Sequence, residues 1–247
     1  MDFEEAIRRI EPTEDVTFNR VDISEYHLHE VRFRNCIFVD CNFDVARISN
    51  SSFIACDFRE CSFQGTVFTD CTFGDEAQDG GSRWRRANLV DSEFRKCNLS
   101  YNTMIGGSAF RALFVECKAI GIKFSVEAYR PAKRRIGTAT FSHCAMMFGA
   151  FGPGDYRDCV FEHCDLRDCD FSESNCANAS FFSSNLNNAR FLHSNLDGAN
   201  IARAQIEGFQ LTDLSSYTDI MLSRDQHEQV LYVGTSRNLR SRVRTYF

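Results

Sequence analysis

The chain has 247 residues, a formal net charge of −6 and 43% hydrophobic residues, enough to bury a core as one domain. No apolar run is long enough to span a bilayer, and the acidic start MDFEEAIRRIEPTED lacks the basic-then-apolar order of a secretory signal, so a cytoplasmic location is expected. Twelve cysteines would mark a disulfide framework only in an oxidising compartment, and their spacing points to another use.

Taken from the start, Asp2 is placed to cap a short helix with Phe3, Ile7 and Ile10 on one face, ended by Pro12. Residues 1–15 are read as a helical cap over the body of the chain. From Phe18 a large apolar residue recurs every fifth position through Phe33, Phe43, Phe53 and Phe63 to Phe73, without a break. After GDEAQDGGSR the phase resumes at Trp84 and runs by fives to Phe124. After a second interruption it resumes at Phe141 and continues to Leu211, so the three runs hold 12, 9 and 15 quintets. Neither the helical period of 3.6 nor the strand period of 2 gives this pattern.

Two residues before the apolar centre the side chain is small or modest in most quintets. Eleven of the twelve cysteines sit there, among them Cys36, Cys61, Cys117 and Cys164, while Cys176 takes a centre. A free cysteine behaves as a small buried hydrophobe, so these thiols are expected reduced, inside, beside the large centres. The other three places of each quintet are mostly Asp, Asn, Ser, Arg and Glu, which suits solvent. The stretch from Met147 to Tyr156, with several glycines and Pro153, is the least regular, and a local bulge is a possibility there.

This A(D/N)LXX-like pattern resembles the pentapeptide-repeat family. The resemblance implies an all-β fold, a right-handed quadrilateral β-helix with four quintets per coil. The 36 quintets then make nine coils, about 43 Å of rod at one strand spacing per coil. The expected organisation is a repeat helix over 16–213, with loop insertions at 74–83 and 125–139 and a C-terminal region over 214–247.

Each interruption is read as an insertion between consecutive quintets, of six residues after Phe73 and twelve after Phe124. Such insertions leave a solenoid as surface loops, often on its binding face. Here they should emerge near one edge, two to three coils apart. The longer loop offers Tyr129, Arg130, Lys133, Arg134, Arg135 and Ile136, a basic cluster with an aromatic and an aliphatic anchor. The shorter offers Asp75, Glu76, Gln78 and Asp79. Both sets are candidate partner contacts. Near the end, Ser223-Arg224-Asp225-Gln226 reads as a capping box before a helix carrying Val230, Leu231 and Val233, closed by Gly234. Those three apolar residues are candidates for a homodimer interface. The tail TSRNLRSRVRTYF is basic.

Charge is uneven: residues 141–211 carry a net of −5 and residues 74–140 a net of +5. An acidic rod repels phosphate backbones, so direct nucleic-acid binding is not expected. Regularly spaced carboxylates could instead occupy a protein's DNA groove, although Asp and Asn also simply suit the turns of the repeat. No P-loop, dinucleotide fingerprint, HExxH or nucleophile elbow is present. His143 and His163 should stack on adjacent coils but lack the further ligands zinc requires. No enzyme activity, cofactor, metal or small-molecule substrate is expected.

Within the family, RRANLVDSEFRKCNLS (Arg85 to Ser100), the order of short loop, regular quintets, longer loop and further coils, and LSRDQHEQ near the end resemble the Qnr-type quinolone-resistance proteins. That resemblance implies a dimer through the C-terminal helix and an acidic rod that mimics B-form DNA. It also implies binding to DNA gyrase and topoisomerase IV that protects them from poisons, the longer loop touching the enzyme. The N-terminal helix, the added N-terminal coils and the basic tail depart from the group. The alternative is a structural or signalling interaction module with an unrelated partner.

Overall fold

The computed structural model describes residues 2–75, 77, 80–127, 129–131, 136–210, 213–226 and 243–246. A five-residue period has an immediate structural consequence here. Strands pair in parallel with partners twenty residues away, as Phe18 with Phe38 and Phe38 with Phe58. Four quintets therefore make one coil. The chain winds as a right-handed, four-sided β-helix.

The first face opens with Thr13–Glu14, Arg32–Arg34 and Ser52–Ile54, then continues through bridges Ser52 to Thr72 and Thr72 to Asn98. The second is a six-stranded parallel sheet from Thr17–Asn19 to Lys123–Glu127, continued by Lys123 to Ala150, Ala150 to Asp170 and Asp170 to Arg190. The third is held by single bridges such as Asp22 to Asn42 and Ser62 to Asn88. The fourth is a seven-stranded sheet from His27–His29 to Val160–Glu162, extended by bridges that reach Met221. The stretch from Met147 to Tyr156 keeps register on its neighbours, with Ala150 bridged to Asp170 and Asp155 to Asn175.

The centres point inward and form columns of rings. On the fourth face Phe94, Phe114, Phe141 and Phe161 stack with successive centroids 4.9, 4.6 and 4.9 Å apart. Rings of neighbouring columns meet edge to face, as Phe114 with Phe124 at 6.0 Å. Both geometries suit the aromatic quadrupole, adding about 0.5–1.5 kcal/mol per pair to the burial of each ring. Trp84 continues the column above Phe58 at 4.5 Å. Its indole N–H donates to Asn102 Oδ1 at 2.8 Å, and the Asn102 amide donates in turn to the carbonyls of Phe73 and Ser100.

The small inward residues have a role that their size does not reveal. The Cys61 thiol donates to the Phe38 carbonyl at 3.4 Å and the Cys117 thiol to that of Phe94 at 3.2 Å, each acceptor being a centre of the preceding coil. Thr66 and Ser194 hydroxyls do the same to Phe43 and Phe171. A buried carbonyl left without a donor is costly, so Cys, Ser and Thr at this position contribute a bond as well as a small volume, while alanines such as Ala46 and Ala179 supply the volume alone. All twelve cysteines are free and buried. Burial pushes the thiols of Cys159 and Cys169 up to about 12, so they remain protonated.

The outward polar residues are also fixed by the backbone. Asp or Asn just before a centre accepts the N–H two residues on: Asp22 from Ser24, Asn42 from Asp44, Asn195 from Asp197. Two residues after most centres the chain turns the corner with positive φ, at Asp15, Arg20, Glu25, Glu30, Asn35 and Asp40 in succession. Val45 is the exception in kind, a β-branched residue held at φ 61° and 58% exposed.

At the start, Phe3–Ala6 form a helix whose Glu5 N–H is capped by Asp2 Oδ1 at 2.7 Å. Phe3 stacks on Phe33 at 5.9 Å and closes the open end of the first coil. The helix stops short of the sequence expectation, and Ile10 is 87% exposed. Thr13 already pairs with the next coil and its hydroxyl takes the Ala6 carbonyl, so no room remains for a second turn against the core. At the far end Gln226, in the helical turn 224–226, accepts from the Ser223 N–H at 2.8 Å. Its amide donates to the carbonyls of Ile201 and Ala204, closing that corner. The strand Val243–Tyr246 lies parallel on Ile220–Ser223 as one more rung of the fourth face.

Candidate functional site

The two loops single out the second face. The first leaves between Phe73 on the first face and Trp84 on the second, its base a hairpin of Gly74–Asp75 with Gly80–Gly81. A Cβ on Gly81 would lie 2.3 Å from the Tyr101 backbone, so only glycine lets the hairpin return this close to the next coil. The second loop leaves beyond Phe124. There Lys123–Glu127 runs past the end of the second face, and Glu127 pairs with Ser108 where the third face begins. The chain then forms an antiparallel hairpin, Tyr129–Pro131 with Ile136–Thr138, and re-enters with Phe141 paired to Phe114 on the fourth face.

This corrects the sequence reading of the second loop. Phe124 and Phe141 are not consecutive quintets, because the third-face quintet of that coil is replaced by the hairpin. The spacing of seventeen is two quintet steps plus seven residues. The third-face ladder restarts at Asp155 with Asn175. Tyr156 reaches into the gap, its hydroxyl 2.6 Å from the carbonyls of both Phe124 and Phe151. In coils such as those of Phe94, Phe114 and Phe171 a donor to such a carbonyl comes from the small inward residue, but for Phe124 that residue is Gly154. A Cβ on Gly154 would lie 2.4 Å from the Tyr156 ring. Ser174, which by analogy with Ser194 would serve Phe151, has an unpartnered hydroxyl.

The loops therefore emerge at opposite edges of the second face, two rungs apart, and bracket it. Of the loop residues picked from sequence, Tyr129, Arg130 and Ile136 have their backbones in the second hairpin. Asp75 lies at the base of the first, accepting from the Ala77 N–H at 3.1 Å and 3.9 Å from Arg34. Lys133, Arg134, Arg135, Glu76, Gln78 and Asp79, and the apolar trio Val230, Leu231 and Val233, lie outside the described residues. His143 and His163 stack as expected, with centroids 4.8 Å apart. No cluster of three or more potential metal ligands occurs among the described residues.

Sequence reasoning missed the floor between the loops. Asp57 is 1% exposed. Arg59 binds it at 2.8 Å, while Arg85 approaches at 3.3 Å and Arg83 at 3.9 Å. Arg86 pairs with Glu60. Val39, Thr103 and Ile105 complete an open groove of about 660 Å³, with Ile105 52% exposed. The signal was visible as Arg83, Arg85 and Arg86 directly after the first loop. Their convergence on Asp57 became evident only once the coils were stacked.

Family models match the chain twice: a pentapeptide repeat region over residues 13–77 and eight copies of pentapeptide repeats over residues 174–213. It is a pentapeptide-repeat protein. Among solved structures, a trypsin-treated form of QnrB1, a plasmid-mediated fluoroquinolone resistance protein, matches with TM-score 0.64 and 16% identity, over 90% of this chain and 95% of that one. Full-length QnrB1 matches with TM-score 0.56 and 18% identity, over 90% and 98%. HetL, a pentapeptide-repeat protein involved in heterocyst differentiation in the cyanobacterium Nostoc, matches with TM-score 0.38 and 15% identity, over 83% and 90%. At these identities the similarity is one of fold. A search of curated proteins gave no match. No described helix is long and apolar enough to cross a membrane.

Proposed function

We propose that this pentapeptide-repeat protein is a non-catalytic rod that binds type II topoisomerases, DNA gyrase and topoisomerase IV, and protects them from quinolones or a natural gyrase poison. The observation that carries the reading is the pair of hairpins at the two edges of one face, on a rod that QnrB1 matches almost end to end. Loops held by a rigid scaffold are the usual place for recognition, and the sequence of the longer loop carries arginines and a tyrosine, the residue types in which interface energy concentrates. The coils beyond Phe141 contribute the excess of carboxylate that would mimic DNA. In this reading the protein acts as a homodimer through its C-terminal region and works in the cytoplasm.

The floor of the bracketed face supports a second reading, a partner other than a topoisomerase. Its arginines do not imitate a phosphate backbone, and a rod acting through this face alone would favour an acidic protein surface. The test is supercoiling by purified gyrase in the presence of a fluoroquinolone, with increasing amounts of this protein. Restored supercoiling is expected at stoichiometric to several-fold excess. No rescue of gyrase or of topoisomerase IV at any ratio would overturn the topoisomerase reading.

A further inference from the structure

We infer that the arginine floor of the second face is a binding site for an extended acidic peptide segment of a partner, its carboxylates at alternate positions. The charge balance comes first. Arg59, Arg83, Arg85 and Arg86 face Asp57 and Glu60, leaving two positive charges uncompensated. Arg85 is in direct register with Arg59 on the adjacent rung. Like charges opposite one another in a sheet are destabilising, and one buried carboxylate shared by three guanidiniums only partly relieves them. An incoming anion would complete the neutralisation.

The geometry favours a peptide. Arg83 and Arg85 flank Trp84 on one strand, so both point outward, about 6.6 Å apart by strand rise. Carboxylates at positions i and i+2 of an extended peptide have the same spacing. A segment laid along the rung would therefore match both forks at once, as bidentate arginine–carboxylate pairing prefers. Asp57, buried and with Oδ1 lacking a hydrogen-bond partner, holds the guanidiniums from below. Val39 and the exposed Ile105 border the arginines and offer apolar contact that the side-chain methylenes of the peptide's floor-facing glutamates can use and a phosphate chain cannot. The inference holds whichever protein is the partner.

The probe is a fluorescein-labelled eight-residue peptide with glutamates at alternate positions, compared with its all-glutamine counterpart and with a labelled single-stranded oligonucleotide, by anisotropy on the full chain. The glutamate peptide is expected to bind and to weaken as salt rises. Arg83→Glu and Arg85→Glu should each reduce binding tenfold or more, whereas Arg190→Glu, on the same face in a distant coil, should leave it unchanged. If either charge reversal disturbs folding by circular dichroism, Arg83→Gln and Arg85→Gln replace it, with several-fold loss expected. Equal binding of the glutamine peptide, no effect of the arginine changes, or tighter binding of the oligonucleotide would each overturn the inference. Because no topoisomerase is present, failure here leaves the gyrase assay independent.

Discussion

Replacing Tyr156 with Phe removes one oxygen from the place where the repeat skips a face. The ring should stay, since Phe occupies most other centres and the packing against Phe151 and Phe171 does not involve the hydroxyl. Two carbonyls lose their shared donor. That of Phe151 has a substitute, because the unpartnered Ser174 hydroxyl occupies the position from which Ser194 serves Phe171 at 2.7 Å. That of Phe124 has none, because Gly154 carries no side chain. One orphaned buried carbonyl costs about 1–3 kcal/mol. The single change should therefore destabilise by about 1–2 kcal/mol, and Ser174→Ala alone should be nearly neutral. Together they orphan both carbonyls and should exceed the sum of the single effects by about 1 kcal/mol. Urea unfolding of the four proteins measures this cycle. A neutral Tyr156→Phe, or strict additivity, would refute the account of how the gap is closed.

Val45→Asn should stabilise by about 1 kcal/mol, because a β-branched residue at positive φ is strained and Asn tolerates that region; an unchanged or lower urea midpoint would contradict it. Cys164→Asp should cost roughly 3 kcal/mol or more by burying an unpaired charge where a thiol now donates to the Phe141 carbonyl, read by the same unfolding measurement. The native protein's thiols should react slowly with a bulky maleimide at pH 8, since all are buried, and rapid labelling of most of them would argue against the packing described. Sedimentation at micromolar concentration should show a homodimer that dissociates when residues 227–247 are removed; a monomeric full-length chain would end the dimer proposal.

The architecture was legible because a solenoid repeats one local rule. Period five fixed which residues point inward, and the aromatic centres follow it from Phe18 onward. Three features were not legible, each for a physical reason. A cysteine two places before a centre reads as a small hydrophobe, and its donor role appears only when the carbonyl twenty-three residues earlier is placed beside it. The missing third-face quintet was hidden because a spacing of seventeen fits either one step with a longer insertion or two steps with a shorter one. Only vertical pairing of Phe141 with Phe114 decides between them. The arginine floor combines residues about 26 apart in sequence, which the first loop offsets from the twenty-residue stacking interval. Conversely, the Asp and Asn residues before the centres have a sufficient explanation in the N–H groups they accept, so abundance alone gave no guide to a binding face.

The most direct test of the bracketed face is gyrase protection by a rod without its longer hairpin. The replacement must keep a spacing of two quintets, about ten positions, from Phe124 to Phe141, with a small third-face centre such as Ala that leaves Tyr156 its space. A five-residue link would move Phe141 to the wrong face and should unfold the following coils. The ten-residue variant should show the circular dichroism and urea midpoint of the parent while its rescue of supercoiling in the presence of a fluoroquinolone falls at least tenfold. Full rescue by that folded, loopless rod would contradict the assignment of recognition to the second face and its hairpins.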